Sequence, residues 1–293
     1  LVAVAASWAA IRNSAADGAM RPLVGRAALV QPPMPGQGLV RASGDSASTS
    51  ANGRAPQPGD SWRIVSSARQ AAEALDEPEV LACFVHRGER GTTLNEQWRS
   101  RLPETPAFDV SVVVGAGTMR DEWQELLTTR LPERLRDESW RLLLSETLDE
   151  AQALLECFRA ATAGAETAPT SLRVRLACID HVQCSRLHWD KLPLRGIAVL
   201  TGPGTELLPE ASVDDAGLAH LEGLPLDEQA TMTSTDWNRA ACANKDPGAA
   251  ILRTPDCWTL LMKGSEWQGR QRARVRGALH RSPVALVRRG LFQ

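Results

Sequence analysis

Hydrophobic periodicity changes at Pro169, and that change limits the folds open to the chain. Upstream, ERLRDESWRLLLSETLDEAQALLECFRAATAG carries Leu135, Leu142, Leu143, Leu148, Ala151, Leu154, Leu155 and Phe158 at helical spacing. This predicts one long helix, or two joined, ending at Gly164, with its apolar face on a sheet and its Glu and Arg residues in solvent. Downstream, SLRVRLACIDHV alternates with the period of a half-buried strand. Arg173 and Arg175 fall on one face, and Leu172, Val174 and Leu176 on the other. Helices first and antiparallel strands later predict an α+β chain, with N-terminal helices packed on a C-terminal β-sandwich or jelly roll.

The remaining stretches fit around that division. Residues 1–60 read as a flexible leader. From Asn13 to Asp60 the chain is rich in Ala, Gly, Pro and Ser and cannot bury enough apolar surface to offset ordering entropy. The opening LVAVAASWAA resembles part of a signal-peptide core but has no starting Met and no basic leader. Folded structure is expected from Trp62 onward. Residues 61–168 form a mainly helical support and 169–293 a β-rich region, the two together making one domain. SSARQAAEALDEP reads as a serine-capped helix stopped by Pro78, and EVLACFVHRG as a strand ending in a surface histidine, His86. FDVSVVVGAG followed by a helical pattern begins as a dinucleotide-binding unit does. Its third glycine is absent, however, and no second strand ending in an acid follows, so it reads as strand, turn and helix. Pro193 marks a bulge or an edge within LHWDKLPLRGIAVL, and GPGTE supplies a turn. Residues 211–256 form a polar excursion containing His220. CWTLLMKG and the run from RVRGALHRSP to VALVRRGLFQ return as strands.

Composition excludes several classes. A formal net charge of -2 is too balanced for a nucleic-acid binder. No segment has the roughly 18 apolar residues of a membrane span. The six cysteines form no C-x-x-C and no disulfide framework, so they read as mostly reduced and buried, which favours the cytoplasm. With no Tyr in the chain, no phenol can serve as acid or ligand.

The chemistry concentrates in CSRLHWDKLPLRG. On a strand, His188 and Asp190 stand side by side and Trp189 points the other way. Taken alone a His-x-Asp is commonplace on a solvated strand. Here it supplies two members of a 2-His-1-carboxylate metal face. The third would be His280, the only later histidine apart from His220. Such a set holds Fe(II) with open positions, or Zn(II) with a water that it acidifies. Arg195 and Arg281 are candidates to hold the carboxylate or fix an imidazole tautomer, with a structural ion pair as the competing role. Strict alternation puts Arg195 opposite Asp190 unless a bulge at Pro193 reverses it. Cys184 reads as a buried thiol first, and as a fourth ligand or redox-sensitive group second. Glu206 caps the turn or faces the pocket. Lys263 and Trp267 shape the fold, and His181 is structural.

The motifs of residues 171–283 together resemble the bacterial family catalogued as domain of unknown function 1826. They are Cys184, His188 and Asp190; Leu194 and Arg195; Gly202 to Glu206; Met262, Lys263, Gly264 and Trp267; and His280 to Pro283. The resemblance further implies an association with zinc handling. More loosely, a His-x-Asp, an arginine, an apolar strand and a Gly-Thr turn are similar to the start of the double-stranded β-helix in cupin-like Fe(II)/2-oxoglutarate dioxygenases. That likeness implies His280 as distal ligand and Arg288 or Arg289 as anchor of the 2-oxoglutarate carboxylate, a task that suits a guanidinium. It implies an oxygenase acting on a small molecule or a protein side chain. The alternatives are a zinc-binding accessory protein without turnover, and a degenerate sandwich that binds a partner and no metal.

Overall fold

The structure, a computed structural model, describes residues 2–8, 60–115, 118–163, 170–268 and 276–283. The chain divides into one compact unit, Leu1–Ala10 with Ser50–Gln293, and a second, Ile11–Thr49, which lies outside the described residues. In chain order the elements are β1 (Val2–Trp8), β2 (Trp62–Val65), α1 (Ala68–Asp76), β3 (Ala82–His86), α2 (Gly88–Arg101), β4 (Phe108–Gly115), α3 (Arg120–Thr129) and α4 (Glu138–Thr162). There follow β5 (Ser171–Cys178), β6 (Leu194–Thr201), β7 (Glu206–Leu207), α5 (Asp215–Gly223), α6 (Leu226–Thr231), α7 (Ser234–Ala240), α8 (Pro247–Ala250), β8 (Leu252–Arg253), β9 (Trp258–Lys263) and β10 (His280–Arg281).

Local chemistry accounts for the helices. Ser67 caps α1 by accepting a hydrogen bond from the Gln70 amide. The expected long helix is α4, 25 residues, with Leu143, Leu148, Ala151, Leu154, Leu155 and Phe158 buried as a stripe. Leu142 was expected on that stripe but is 70% exposed, and Leu144 takes its place. In α2 the apolar residues are few, and only Leu94 and Trp98 among its large hydrophobic side chains are buried, so no helical period marks it in the sequence.

Among the described residues ten strands make two sheets. The larger has the order β2-β3-β9-β6-β1-β5-β4, antiparallel except for the β2–β3 pair, and the smaller has the order β10-β7-β8. Alternation along β5 puts Leu172, Val174 and Leu176 toward the helices, where they join α1 to α4 in the main core. Arg173 and Arg175 face away, as the period requires. A second core of Trp62, Phe84, Leu260 and Met262 with Leu207 and Leu252 fills the space between the sheets. The layers are therefore helices, large sheet and small sheet, an α+β architecture.

Three expectations need correction. The first residues of the expected leader are β1, which pairs with β5 on one side and β6 on the other. VAVAASW is paired on both edges, to β5 over its whole length and to β6 from Val2 to Ser7, so most of its backbone groups find partners. Residues 9–59 lie outside the described set. The mainly helical support region contributes β2, β3 and β4 to the same large sheet as β5, β6 and β9. The polar excursion is helical: α5 to α8 lie there, and His220 sits on α5. Leu218, Leu221, Ala241, Cys242 and Ile251 from this stretch pack on Leu187, Leu208 and Leu279, forming a third core.

None of the six cysteines is in a disulfide. Burial pushes the Cys83 thiol up to about 12 and Cys157 to about 11, the behaviour of inert structural thiols. Among the described residues no helix is long and apolar enough to cross a membrane.

Candidate metal centre

His188 and His280 face each other across a single antiparallel bridge. The His188 amide donates to the His280 carbonyl at 2.9 Å, and the His280 amide donates back at 2.8 Å. Directly opposed residues in such a pair project to the same side, and the two ring centroids are 4.5 Å apart. Asp190 lies beyond the bridge, in a turn. Its position is set by the end of β9. The Ser265 amide donates to the Asp190 carbonyl at 2.9 Å, and the Gly264 amide to Pro193 at 2.8 Å. Lys263 contributes its carbonyl to the Ala278 amide at 2.8 Å, two residues before His280. The Lys-Gly-Ser run thus holds both the carboxylate turn and the distal histidine strand. A Cβ at Gly264 would fall 1.8 Å from the Leu192 carbonyl oxygen, so only glycine permits this approach.

One ligand atom each from His188, Asp190 and His280 can be chosen so that all lie within 4.8 Å of one another. His188 Nε2 is 3.9 Å from Asp190 Oδ1, and His280 Nε2 is 3.4 Å from Asp190 Oδ2. Donors bound at about 2.1 Å sit about 3.0 Å apart on an octahedral cation and about 3.4 Å apart on a tetrahedral one. Each imidazole has its other nitrogen engaged. His188 Nδ1 donates to the Arg186 carbonyl and His280 Nδ1 to the Ala278 carbonyl, both at 2.9 Å. That fixes the tautomer and leaves both Nε2 lone pairs toward Asp190. Arg195 Nε stands 2.7 Å from Asp190 Oδ2, an ion pair without the alignment of a hydrogen bond. Both atoms are buried and without a hydrogen bond in the structure. A buried carboxylate oxygen so placed, beside two imidazole lone pairs, fits a cation.

Electrostatics separate the two histidines. Burial pushes His280 down to about 4, so its imidazole is neutral and ready to ligate. For His188, burial works to lower the value, but hydrogen bonds with Cys184 and the Arg186 carbonyl and the charge of Asp190 hold it above the ordinary histidine range. The thiol of Cys184 lies 3.4 Å from His188 Nδ1, on the ring edge away from Nε2, so it braces the imidazole instead of joining the ligand set.

The other singled-out residues sort by geometry. Arg195 reaches Asp190 because Asp190 stands in a turn, outside the alternation of β6. Arg281 touches none of the three; its Nε pairs with Glu206 at 2.7 Å, and Glu206 also holds Arg253 at 3.0 Å. Glu206 is completely buried between them. Lys263 is buried as well, donating to the Glu77 carbonyl at the end of α1 and lying 5.7 Å above the Trp267 ring. Burial lowers it to about 8. Arg288 and Arg289 lie outside the described residues. Sequence reasoning missed Asn238 on α7, whose side chain accepts from the Leu187 amide at 2.6 Å and donates to the Ser185 carbonyl at 2.8 Å. Trp237 donates to the Leu187 carbonyl at 2.8 Å. No local pattern marks these residues, which lie about fifty positions from the strand they pin.

A family model described as Protein of unknown function (DUF1826) matches residues 67–291. No curated protein and no solved structure matches the chain. The match spans most of the chain and both histidines with Asp190, and the chain belongs to that family.

Proposed function

We propose that the chain is a metal-dependent oxygenase of the Fe(II)/2-oxoglutarate type, with His188, Asp190 and His280 as its ligands. The observation that carries this reading is the convergence of three ligand atoms within 4.8 Å, with both Nδ1 atoms already committed to carbonyls. His188, Asp190 and His280 would hold the cation and leave open positions on it, and a cation so held would supply the oxidative chemistry of a keto-acid-dependent oxygenase. The protein's share is to direct both Nε2 atoms toward Asp190, keep His280 neutral by burial, hold the carboxylate with Arg195, and border the group with a cavity of about 180 Å³.

The winding of the chain supports a jelly-roll relationship. From β5 onward it passes from the large sheet to the His188 bridge, back to β6, across to β7 and β8, back to β9 and across to β10. Strands that alternate between two facing sheets are the pattern of a double-stranded β-helix. Arg288 or Arg289 as keto-acid anchor belongs to this same reading, as does a small-molecule or protein side-chain substrate.

Anaerobic titration of the full chain with Fe(II) and 2-oxoglutarate tests it. The weak visible charge-transfer band of a chelated keto acid is expected, and its absence from folded, metal-loaded protein would remove the oxygenase. A second reading is a zinc-holding accessory protein without turnover. The 3.4 Å spacing of His280 Nε2 and Asp190 Oδ2, suited to a tetrahedral ion, favours it. Tight zinc in protein purified without added metal, together with no oxygen uptake, would select that reading.

A further inference from the structure

His188 borders two cavities. One, with Ala3, Ala5 and Ala177 on its floor, lies beside the three-ligand group. The other, of about 340 Å³, opens between residues 187–191 and the helices α5, α6 and α7, and the metal centre makes no use of it. Its lining changes with depth. At the bottom are Leu187, Leu218 and Leu279, all buried. Partly buried Trp189 and Trp237 form the walls. At the mouth stand Lys191, Glu222 and Leu226, all exposed. An apolar hollow with a few polar groups is the usual form of a small-molecule site, and this one is at the small end of the roughly 300–1,000 Å³ that such sites span.

The walls are fixed before anything enters. Leu218 and Glu222 lie four apart on α5, and Leu226 and Gln229 three apart on α6, so each helix turns one face inward. The Gln229 side chain donates to the Leu224 carbonyl at 2.8 Å, tying α6 to the end of α5. Arg186 donates to the Gln229 carbonyl at 2.7 Å, and its guanidinium lies 5.1 Å from the centre of the Trp237 ring. The Trp237 indole N–H is taken by the Leu187 carbonyl, and Arg276 lies 5.3 Å from the centre of the Trp189 ring. Three groups at the mouth are left unused. Leu226 is 83% exposed, more than any other large hydrophobic side chain among the described residues. Lys191 and Glu222 carry opposite charges and border one cavity, yet among the described residues neither pairs with the other or with a third group.

We infer that this cavity binds a free α-amino acid with a large apolar side chain, aromatic by preference. The side chain enters between the two tryptophans, and the ammonium and carboxylate stay at the mouth with Glu222 and Lys191. Two unlike charges at one opening set the class of ligand. A ligand with a single charge is attracted by one of them and repelled by the other, whereas a zwitterion is attracted by both. An apolar residue inside a peptide carries neither charge, so a free amino acid fits and a chain segment does not. Tryptophan walls favour an aromatic ring through edge-to-face and offset contacts. The inference stands on the second cavity alone and is independent of the ion that the three ligands hold.

Calorimetry on the full chain as purified tests it. L-Phenylalanine has both charges, L-phenylalaninamide lacks the carboxylate, 3-phenylpropionate lacks the ammonium, and L-alanine lacks the ring. Phenylalanine is expected to bind about 3- to 5-fold more tightly than either one-charge analogue, the worth of an ion pair at a surface. It should bind at least about 10-fold more tightly than alanine, the worth of burying a large apolar side chain. Glu222→Gln should weaken phenylalanine and its amide by about the first factor and spare 3-phenylpropionate. Lys191→Gln should weaken phenylalanine and 3-phenylpropionate and spare the amide. Both side chains are exposed, so both variants keep the fold, and the analogue series on wild type decides without them. Equal affinity for the three ring-bearing compounds in wild type overturns the inference, because the mouth charges then read nothing. Equal weakening of all three by Glu222→Gln overturns it too, as does alanine binding as tightly as phenylalanine. No heat from phenylalanine at about 10 mM, beyond the weakest affinity expected of a built site, also ends it. None of these outcomes touches the ligand set of the metal centre.

Discussion

A carboxylate with no exposure at all, between two guanidinium groups, makes Glu206 a place where one atom set carries a large energy. Arg281 is itself mostly buried, so Glu206→Ala strands a charge out of water and should cost about 3–5 kcal/mol in denaturant unfolding. Arg253 is 63% exposed, and Arg253→Ala should cost less than about 1 kcal/mol. Equal losses for the two variants would refute the asymmetry. The sequence offered Glu206 as a cap or a pocket residue. Its partner was invisible there because the pairing depends on the β7–β10 register, across 75 positions. Arg195 was obscured in the opposite sense, since strand alternation misleads once Asp190 leaves the strand. His280 allows a pH test. Its folded value is lowered to about 4 from an ordinary 6.5. Above about pH 6.5 both folded and unfolded states are neutral there and its contribution is complete. As pH falls from 6.5 toward 4 the unfolded chain takes the proton that the buried ring refuses, so stability drops, on the order of 3 kcal/mol at most. His188, raised in the fold, acts with the opposite sign: its contribution is present below the ordinary histidine value and fades as pH rises through its own. Metal-free His280→Gln should therefore show a shallower loss than wild type over that window, and identical profiles would reject the account.

Among the elements, α7 and the end of β9 decide whether the ligands stay in place. Asn238 is 3% exposed and satisfies two backbone groups of the segment leading into His188. Asn238→Ala leaves a buried amide and a carbonyl unpaired, at about 1–3 kcal/mol each. By loosening the His188 strand it should weaken metal binding about 10- to 100-fold. Zinc titration and chemical denaturation measure the two effects, and destabilisation with unchanged metal affinity would confine α7 to a packing role. Gly264→Ala is the sharper change. Its Cβ meets the Leu192 carbonyl oxygen at 1.8 Å and the Asp190 carbonyl oxygen at 2.8 Å, both backbone atoms that cannot swing aside. The turn must move and carry Asp190 with it, so zinc binding should be lost while the helical circular-dichroism signal remains. Wild-type zinc affinity in Gly264→Ala would show that the turn position is immaterial. Strong periodicity made α4 and β5 legible from sequence, and short motifs flagged Lys263, Gly264 and Trp267. The helices of residues 215–250 were not legible. They are four to nine residues long, and their stability comes from covering Leu187, Leu208, Ile251 and Leu279, contacts that no local window contains.

For the molecule as a whole, the strand nearest the N-terminus among the described residues is an interior strand of the large sheet. β1 pairs with β5 from Val2↔Cys178 to Trp8↔Leu172, and with β6 from Val2↔Thr201 to Ser7↔Arg195. It is the only element between the strand that opens the β-rich half and the strand that carries Arg195. Averaged over sixty residues, the leader's composition hides seven alternating ones, and the tie to β5 spans more than 160 positions, so a local reading had no route to it. The consequence is physical. Removing residues 1–8 strips both ladders at once, leaves two facing strand edges unpaired, and takes Ala3 and Ala5 out of the cavity floor. The shortened chain should aggregate, or unfold without a cooperative transition. A peptide of sequence VAVAASW, added in trans, should restore cooperativity by strand addition, with main-chain hydrogen bonds supplying affinity and the alternate side chains supplying register. Denaturant unfolding followed by tryptophan fluorescence, with and without the peptide, reads both steps. Cooperative unfolding at the full-length midpoint without residues 1–8 would mean that β5 and β6 close on each other or on another segment, and that β1 is dispensable to the sheet. Loss of cooperativity that the peptide repairs would tie the half that carries the His188–Asp190–His280 group to a strand lying more than 160 residues before it in the chain.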